Sequence, residues 1–172
     1  DRTIDDEQVE ADTITYGSLL SALSNSNDDD AAVRATEVFE AMLTAKVEPD
    51  TISWTILISV WARSSLPNHE LEAQAIFDRM LQYGTVPNAV TYTALLTMWS
   101  NSGAKDATKK VVSIFRHMTM TGQKLDTVGY SSLLSALSRT SDPEAALRAN
   151  EVFEQMLEAN VEPDTMSWTI LI

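Results

Sequence analysis

The sequence predicts an all-α solenoid built from tandem pairs of helices, and three observations carry that reading. The first is a junction that recurs. Val47-Glu48-Pro49-Asp50-Thr51-Ile52-Ser53-Trp54 returns as Val161-Glu162-Pro163-Asp164-Thr165-Met166-Ser167-Trp168, with weaker copies at Val9-Glu10-Ala11-Asp12, Val86-Pro87-Asn88 and Lys124-Leu125-Asp126. The acid or amide of each copy falls at 12, 50, 88, 126 and 164, a constant step of 38 residues. Such a step marks a repeat array, in which each unit touches only its neighbours and the core runs as a stripe along the stack. The second observation is the spacing of apolar residues within each step, which is helical throughout. The third is a polar turn near the middle of every step, which divides it into two helices.

The first helix of each unit follows the junction. Tyr16, Leu19, Leu20 and Leu23 recur at i, i+3, i+4 and i+7, the spacing of one buried helical face. Trp54, Leu57, Ile58 and Trp61 take the same places, then Tyr92, Leu95, Leu96 and Trp99, then Tyr130, Leu133, Leu134 and Leu137. In the first unit this helix is expected from about Thr13 to Ser24, with Asp12 or Thr13 as its N-cap. Turn residues follow: Asn25-Ser26-Asn27-Asp28, Ser64-Ser65-Leu66-Pro67, Asn101-Ser102-Gly103 and Arg139-Thr140-Ser141-Asp142-Pro143. Pro67 and Pro143 suit the first position of the next helix, where a missing N–H costs nothing. The second helix carries Val38, Phe39 and Met42, matched by Ile76, Phe77 and Met80, by Ile114, Phe115 and Met118, and by Val152, Phe153 and Met156. Ala35, Ala73 and Ala149 precede them, small enough for close helix contact. These recurring Phe, Met and Trp residues read as core. The expected division is 1–12 as the end of a preceding repeat or a linker, repeats at 13–50, 51–88, 89–126 and 127–164, and the start of a truncated fifth at 165–172.

Composition narrows the function classes. No apolar run approaches the roughly 18 residues of a membrane span. The absence of cysteine removes disulfides, thiolate zinc sites and cysteine nucleophiles together. The two histidines, His69 and His117, stand in different units without metal-ligand spacing, and the five glycines form no phosphate loop. Asp28-Asp29-Asp30 reads as a solvated cluster complementing a helix start. No enzyme activity, metal or cofactor is expected. The net charge of −13 is spread unevenly: residues 1–12 carry −5, 13–50 carry −5, 51–88 carry −1, 89–126 carry +3 and 127–164 carry −5. This sign opposes a nucleic-acid partner overall, and no continuous basic surface is available for duplex DNA. The chain opens at Asp1 without a methionine or a transit-like segment, and closes at Ile172 inside the first helix of the fifth unit. It reads as part of a longer chain, with any targeting signal expected outside it.

The run Thr-Ile-Thr-Tyr at 13–16, Ser-Leu-Leu-Ser-Ala-Leu at 18–23, Val-Phe-Glu-Ala-Met at 38–42 and Val-Glu-Pro-Asp at 47–50 resembles the pentatricopeptide repeat. The resemblance covers all four full units and the partial fifth, and is P-type-like. It departs in unit length, since the family's usual unit has 35 residues. The extra three fall around Ser26-Asn27-Asp28, nearly one helical turn, and imply a longer second helix or turn. Octotricopeptide repeats have 38 residues, but their Pro-Pro-Pro-Glu-Trp signature is missing. Residues 12–58 and 126–172 are identical at 33 of 47 positions, which suggests duplication of a three-unit block. The expected fold is a right-handed superhelix with no β-strand.

The resemblance implies a binder of single-stranded RNA in a plastid or mitochondrion, one base per repeat, with the first helices lining the concave groove. It places base-sandwiching residues second in each unit, at Ile14, Ile52, Val90, Val128 and Met166. It places base-reading pairs at the fifth and last positions: Gly17 with Asp50, Thr55 with Asn88, Thr93 with Asp126, and Ser131 with Asp164. Arg63 and Arg139, at the thirteenth position, are the implied phosphate contacts; Asn25 and Asn101 hold that place in the other units. By the family's combinatorial code the implied segment is 5′-(G)-A-G-G-3′. On the expected groove face, Ile52, Thr55, Ser59 and Ala62 share one side, as do Val90, Thr93, Thr97 and Ser100. Those short side chains either leave room for a ligand or merely face solvent. Lys105, Lys109, Lys110 and Arg116 fall on the second helix of unit three, expected on the convex side as a solvated face or a partner contact. Two functions stay open: an RNA-binding module of an organellar protein, and a scaffold that docks on proteins within a larger organellar assembly.

Overall fold

The computed structural model describes residues 12–26, 28, 30–139 and 144–170. The Val9-Glu10-Ala11 junction copy, Pro143 as a helix start and Leu171 with Ile172 lie outside the described residues. Helices follow one another as α1 (Thr13–Ser24), α2 (Ala31–Thr44), α3 (Thr51–Arg63), α4 (His69–Gln82), α5 (Ala89–Asn101), α6 (Ala107–Met120), α7 (Thr127–Ser138), α8 (Ala145–Glu158) and α9 (Thr165–Ile170). No strand occurs among the described residues.

Each odd-numbered helix starts the same way. The Oδ1 atoms of Asp12, Asp50, Asn88, Asp126 and Asp164 accept from the backbone N–H three residues on, at 2.9, 2.8, 2.9, 2.9 and 2.8 Å. A cap of this kind is worth about 1 kcal/mol. The even-numbered helices end alike as well. Lys46, Gly84, Gly122 and Asn160 adopt left-handed backbone with φ between 56° and 73°. The next N–H reaches back to a methionine carbonyl: Val47 to Met42, Thr85 to Met80, Gln123 to Met118 and Val161 to Met156, at 3.1–3.2 Å. This is the Schellman geometry, which satisfies carbonyls that the helix end orphans.

Successive odd-numbered helices stack directly on one another, while each even-numbered helix packs on its own odd partner and, for α2, α4 and α6, on the next odd helix. The even helices make no comparable contact among themselves. Tighter stacking on the odd side places that layer on the inside of the curve. Trp54 and Tyr92 are fully buried and Tyr130 nearly so. Aromatic rings join the units: Phe39 to Trp54 at 4.5 Å, Phe77 to Tyr92 at 6.0 Å and Phe153 to Trp168 at 5.0 Å between centroids. Such pairs add to the burial of each ring. Three buried polar tips find partners on the adjacent helix, whereas Trp54 Nε1 has none. Trp61 Nε1 donates to Thr36, Trp99 Nε1 donates to Gln74, and the Tyr92 hydroxyl lies 2.8 Å from His117 Nδ1.

Two sequence expectations need correction. Leu19 is 49% exposed and Tyr16 and Leu23 only half-buried, so the expected core face of α1 holds fully only at Leu20. Within the described residues α1 has an odd-numbered neighbour on one side alone, α3, and half its apolar stripe has nothing to meet. Pro67 does not open α4. It precedes Asn68, whose φ of 62° and ψ of 18° make the pair the centre of a turn closed by His69 N–H on the Leu66 carbonyl. Proline followed by left-handed asparagine is the type II pattern.

Candidate functional site

Among the exposed apolar residues, one register position recurs in every unit. Ile14, Ile52, Val90, Val128 and Met166 are between 53% and 76% exposed. Each is the second residue of an odd-numbered helix. Direct stacking of those helices, at the usual interaxial spacing of about 8–10 Å, lines them up as a ladder. Scattered exposed apolar residues are ordinary on protein surfaces; five at one register position are not.

Beside the ladder stand the last-position residues, and all of them are the helix caps described above. Capping fixes what each can offer. Asn88 Oδ1 accepts from Thr91 N–H at 2.9 Å and lies 3.0 Å from Thr91 Oγ1, so its Nδ2 faces away from the cap as a donor. Asp50 and Asp164 likewise commit Oδ1, to Ser53 and Ser167, and a carboxylate offers only acceptors. The Thr15 N–H holds the Asp12 carboxyl below its ordinary pKa. For Asp164 burial pushes the pKa up, but the Ser167 N–H and the Ser131 and Ser167 hydroxyls bring it net below the ordinary value.

The fifth-position residues turn inward more than expected. Thr55 is 6% and Ser131 6% exposed, as Ser59 and Ser100 also are buried, while Thr93 and Thr97 are half-buried. Their hydroxyls tie one odd helix to the next. Thr55 Oγ1 lies 2.7 Å from Thr91 Oγ1, Ser131 Oγ 3.1 Å from Ser167 Oγ, and Thr97 Oγ1 3.0 Å from Ser132 Oγ. A buried hydroxyl without a partner is costly, and here each partner is another short polar side chain. Two of the four sequence-paired positions meet directly: Ser131 donates to Asp164 Oδ2 at 2.7 Å, and Thr93 to Asp126 Oδ1 at 3.2 Å. Thr55 reaches Asn88 only through Thr91, and Gly17 has no side chain to offer Asp50.

Sequence reasoning passed over the third-position residues Thr15, Ser53, Thr91 and Ser167, whose hydroxyls share the cap. The signal was present, since each sits three places after an Asp or Asn. Gly129 replaces that hydroxyl in the fourth unit, and a Cβ there would stand 2.7 Å from Leu125 Cδ2. Leu125 replaces the proline found at 49, 87 and 163, so the two departures occupy one space.

Arg63 and Arg139 both reach the preceding unit. Arg63 donates to the Ser24 carbonyl and hydroxyl at 3.0 Å each, and Arg139 to the Ser100 carbonyl. Both therefore brace the C-terminal end of the previous odd helix, with the remaining guanidinium donors turned to solvent at exposed positions. A cleft of about 580 Å³ opens between α3 and α5, bordered by Ser59, Arg63, His69, Val90, Thr93 and Thr97. Among the described residues no cluster of three His, Asp or Glu is placed to hold a metal ion, and no helix is long and apolar enough to cross a membrane.

Paired helices stacked in register, with one exposed apolar residue and one cap-held polar residue per pair on the inner layer, define a helical-repeat protein with a modular inner surface. The sequence profile described as the pentacotripeptide-repeat region of PRORP matches residues 24–172, and the chain belongs to the pentatricopeptide repeat family. Among curated proteins no sequence match is found. Similar solved structures share the fold. The PPR domain of Arabidopsis thaliana protein-only RNase P 1, in complex with tRNA, superposes with a TM-score of 0.77 at 16% identity, over 95% of this chain and 80% of that one. PPR10, in complex with an 18-nt psaJ RNA element, gives 0.68 at 22% identity over 93% of this chain; the protein is from maize. Nuclear proteinaceous RNase P 2 of A. thaliana gives 0.74 at 19% identity, over 91% of this chain and 33% of that one. The chain spans 22% of the length of the PPR10 chain it matches.

Proposed function

We propose that the chain is a single-stranded RNA-binding segment of a plastid or mitochondrial protein that acts by occupying a specific sequence. In this reading four 38-residue repeats, at 13–50, 51–88, 89–126 and 127–164, take one base each. The observation that carries it is the ladder of exposed apolar residues lying beside cap-held polar ones. Ile14, Ile52, Val90, Val128 and Met166 provide flat-sided apolar surfaces for bases, and the last-position residues face the base edges. Two structural neighbours are RNA complexes, of PPR10 with a psaJ element and of PRORP1 with tRNA, which supports RNA as the ligand class. Asn88, presenting an amide donor, suits the N1 acceptor of adenine. Asp50, Asp126 and Asp164, presenting acceptors, suit the N1–H and N2–H donors of guanine. The segment proposed is 5′-(G)-A-G-G-3′, the first base weakest because Gly17 adds nothing. Arg63 and Arg139 serve the phosphates with the donors their bracing contacts leave over.

Stacking against Ile or Val falls at the low end of about 1–3 kcal/mol per base. Less the cost of ordering the strand, four such contacts leave about micromolar affinity or weaker. Asn88→Asp is the test. The carboxylate keeps both contacts to Thr91 and caps equally well, so the fold stays while a donor becomes an acceptor. Preference at the second base should move from adenine to guanine in binding assays with G-A-G-G and G-G-G-G RNA. If parent and variant bind both RNAs alike, the scaffold reading takes over, which the net charge of −13 favours.

A further inference from the structure

The outer layer holds a second surface that the proposed RNA groove does not use. Between α6 and α8 a cleft of about 450 Å³ is lined by Lys105, Lys109, Arg116 and Arg148, with Thr108 and Ser113 between them. It runs into a second space of about 290 Å³ that shares Val112, Arg116 and Arg148 and is lined by Phe115 and Val152 over the buried Leu133 and Leu137. Glu151 borders this second half. One end of the groove is cationic and the other largely apolar.

The groove is open for reasons visible in the sequence. Between α2 and α4 the gap is bridged by Glu40 and Arg79, whose guanidinium also lies over the Trp54 and Tyr83 rings. Between α4 and α6 it is filled by His117 against Phe77 and Tyr92. Between α6 and α8 the corresponding places hold Arg116 and Gln155, and no bridge forms between them. Phe115 consequently stays half-buried without a ring partner, whereas Phe39, Phe77 and Phe153 are buried against the next unit's aromatic. Among the described residues Lys105, Lys109 and Arg116 make no ion pair, although acids outnumber bases 25 to 12 in this chain. Arg148 is held by Glu144 at 2.8 Å, so the positive charge open to a ligand comes from Lys105, Lys109 and Arg116, which an anionic partner would complement.

We propose that the α6–α8 groove docks an acidic protein segment that anchors with one or two large apolar side chains. The joined apolar half selects a peptide over a nucleic-acid backbone: phosphates would satisfy the cations but leave the half-buried Val112 and Phe115 uncovered. Its position on the outer layer lets it work while the inner groove is occupied.

The probe is a fluorescent peptide of about twelve residues, with two leucines one helical turn apart among glutamates. Its counterparts carry Gln for Glu or Ala for Leu, and an oligouridylate of similar length serves as the nucleic-acid arm. Saturable anisotropy is expected with the parent peptide alone, weakening as salt rises. Losing either the glutamates or the leucines should cost about tenfold or more in affinity, roughly 1.4 kcal/mol. Lys109→Glu combined with Arg116→Glu, both on exposed positions, should do the same, and Phe115→Ala should mimic the loss of the leucines. Arg34→Ala, on the exposed side of α2 and remote from this groove, should leave the peptide affinity unchanged. Equal binding of the three peptides to the unaltered chain overturns the proposal whether or not a variant folds. So does oligouridylate binding lost with the same double reversal, which would make the groove a phosphate site.

Discussion

At Lys46 and Asn160 the chain asks a side chain to hold a conformation that Gly84 and Gly122 take freely. Left-handed backbone costs a non-glycine residue about 1–2 kcal/mol, less for asparagine. Lys46→Gly is therefore expected to raise stability by about 1 kcal/mol in urea denaturation, and Gly84→Ala to lower it by a similar amount. Gly129 makes the opposite kind of demand. A serine there, as at 53 and 167, would press its Cβ to 3.1 Å from Leu125 Cβ as well as on Cδ2, at a cost of about 1–3 kcal/mol. Adding Leu125→Pro should recover most of that loss, and a double-mutant cycle with no coupling would refute the shared-space account. Residue roles were partly legible before the structure: capping by Asp12, Asp50, Asn88, Asp126 and Asp164 follows from their place before helical runs. The inward turn of Thr55 and Ser131 was not, because a short hydroxyl carries no sign of which neighbour will satisfy it. The bracing roles of Arg63 and Arg139 depend on a carbonyl in the preceding unit, and no local pattern announces that.

Among elements, the second helices differ in how firmly they are held. Phe77 is 4% exposed and meets both Tyr92 and His117 at 6.0 Å. Phe77→Ala is expected to cost about 3–5 kcal/mol, seen as faster amide exchange in α4 and α5. Phe115→Ala should cost less than half as much, since a half-exposed ring surrenders less burial and no ring contact. Comparable losses at the two sites would contradict the open groove between α6 and α8. The apolar spacing gave every helix, but could not say that α1 would leave Leu19 uncovered, because a stripe does not reveal which neighbours are present. Pro67 misled in a different way. Proline is equally at home inside a helix start and in the turn before it, and only the left-handed Asn68 decides between them.

Over the whole molecule, titration should limit the fold from both ends of the pH scale. Asp164 has a folded pKa below the ordinary 3.8, so its contribution is present above about that pH and lost as acid carries the pH down through the folded value. Tyr92 and Tyr130 are raised above 10.0 by burial, with Glu158 adding to the second. Their neutral form is the folded one, so stability is full below pH 10 and falls as pH rises beyond it. Thermal melts should show a plateau between these limits; a melt still unchanged at pH 11 would contradict the tyrosine assignment. Because residues 50, 88, 126 and 164 each begin the next helix as well as border the inner face, their choice is restricted to the few side chains that can cap: Asp, Asn, Ser, Thr and Gly. A lysine or a bulky ring placed there would loosen the following unit before it touched any ligand. If these positions read bases as proposed, folding limits the vocabulary of recognition, and drift to a new target would pass through small exchanges such as the one separating Asn88 from its aspartate counterparts.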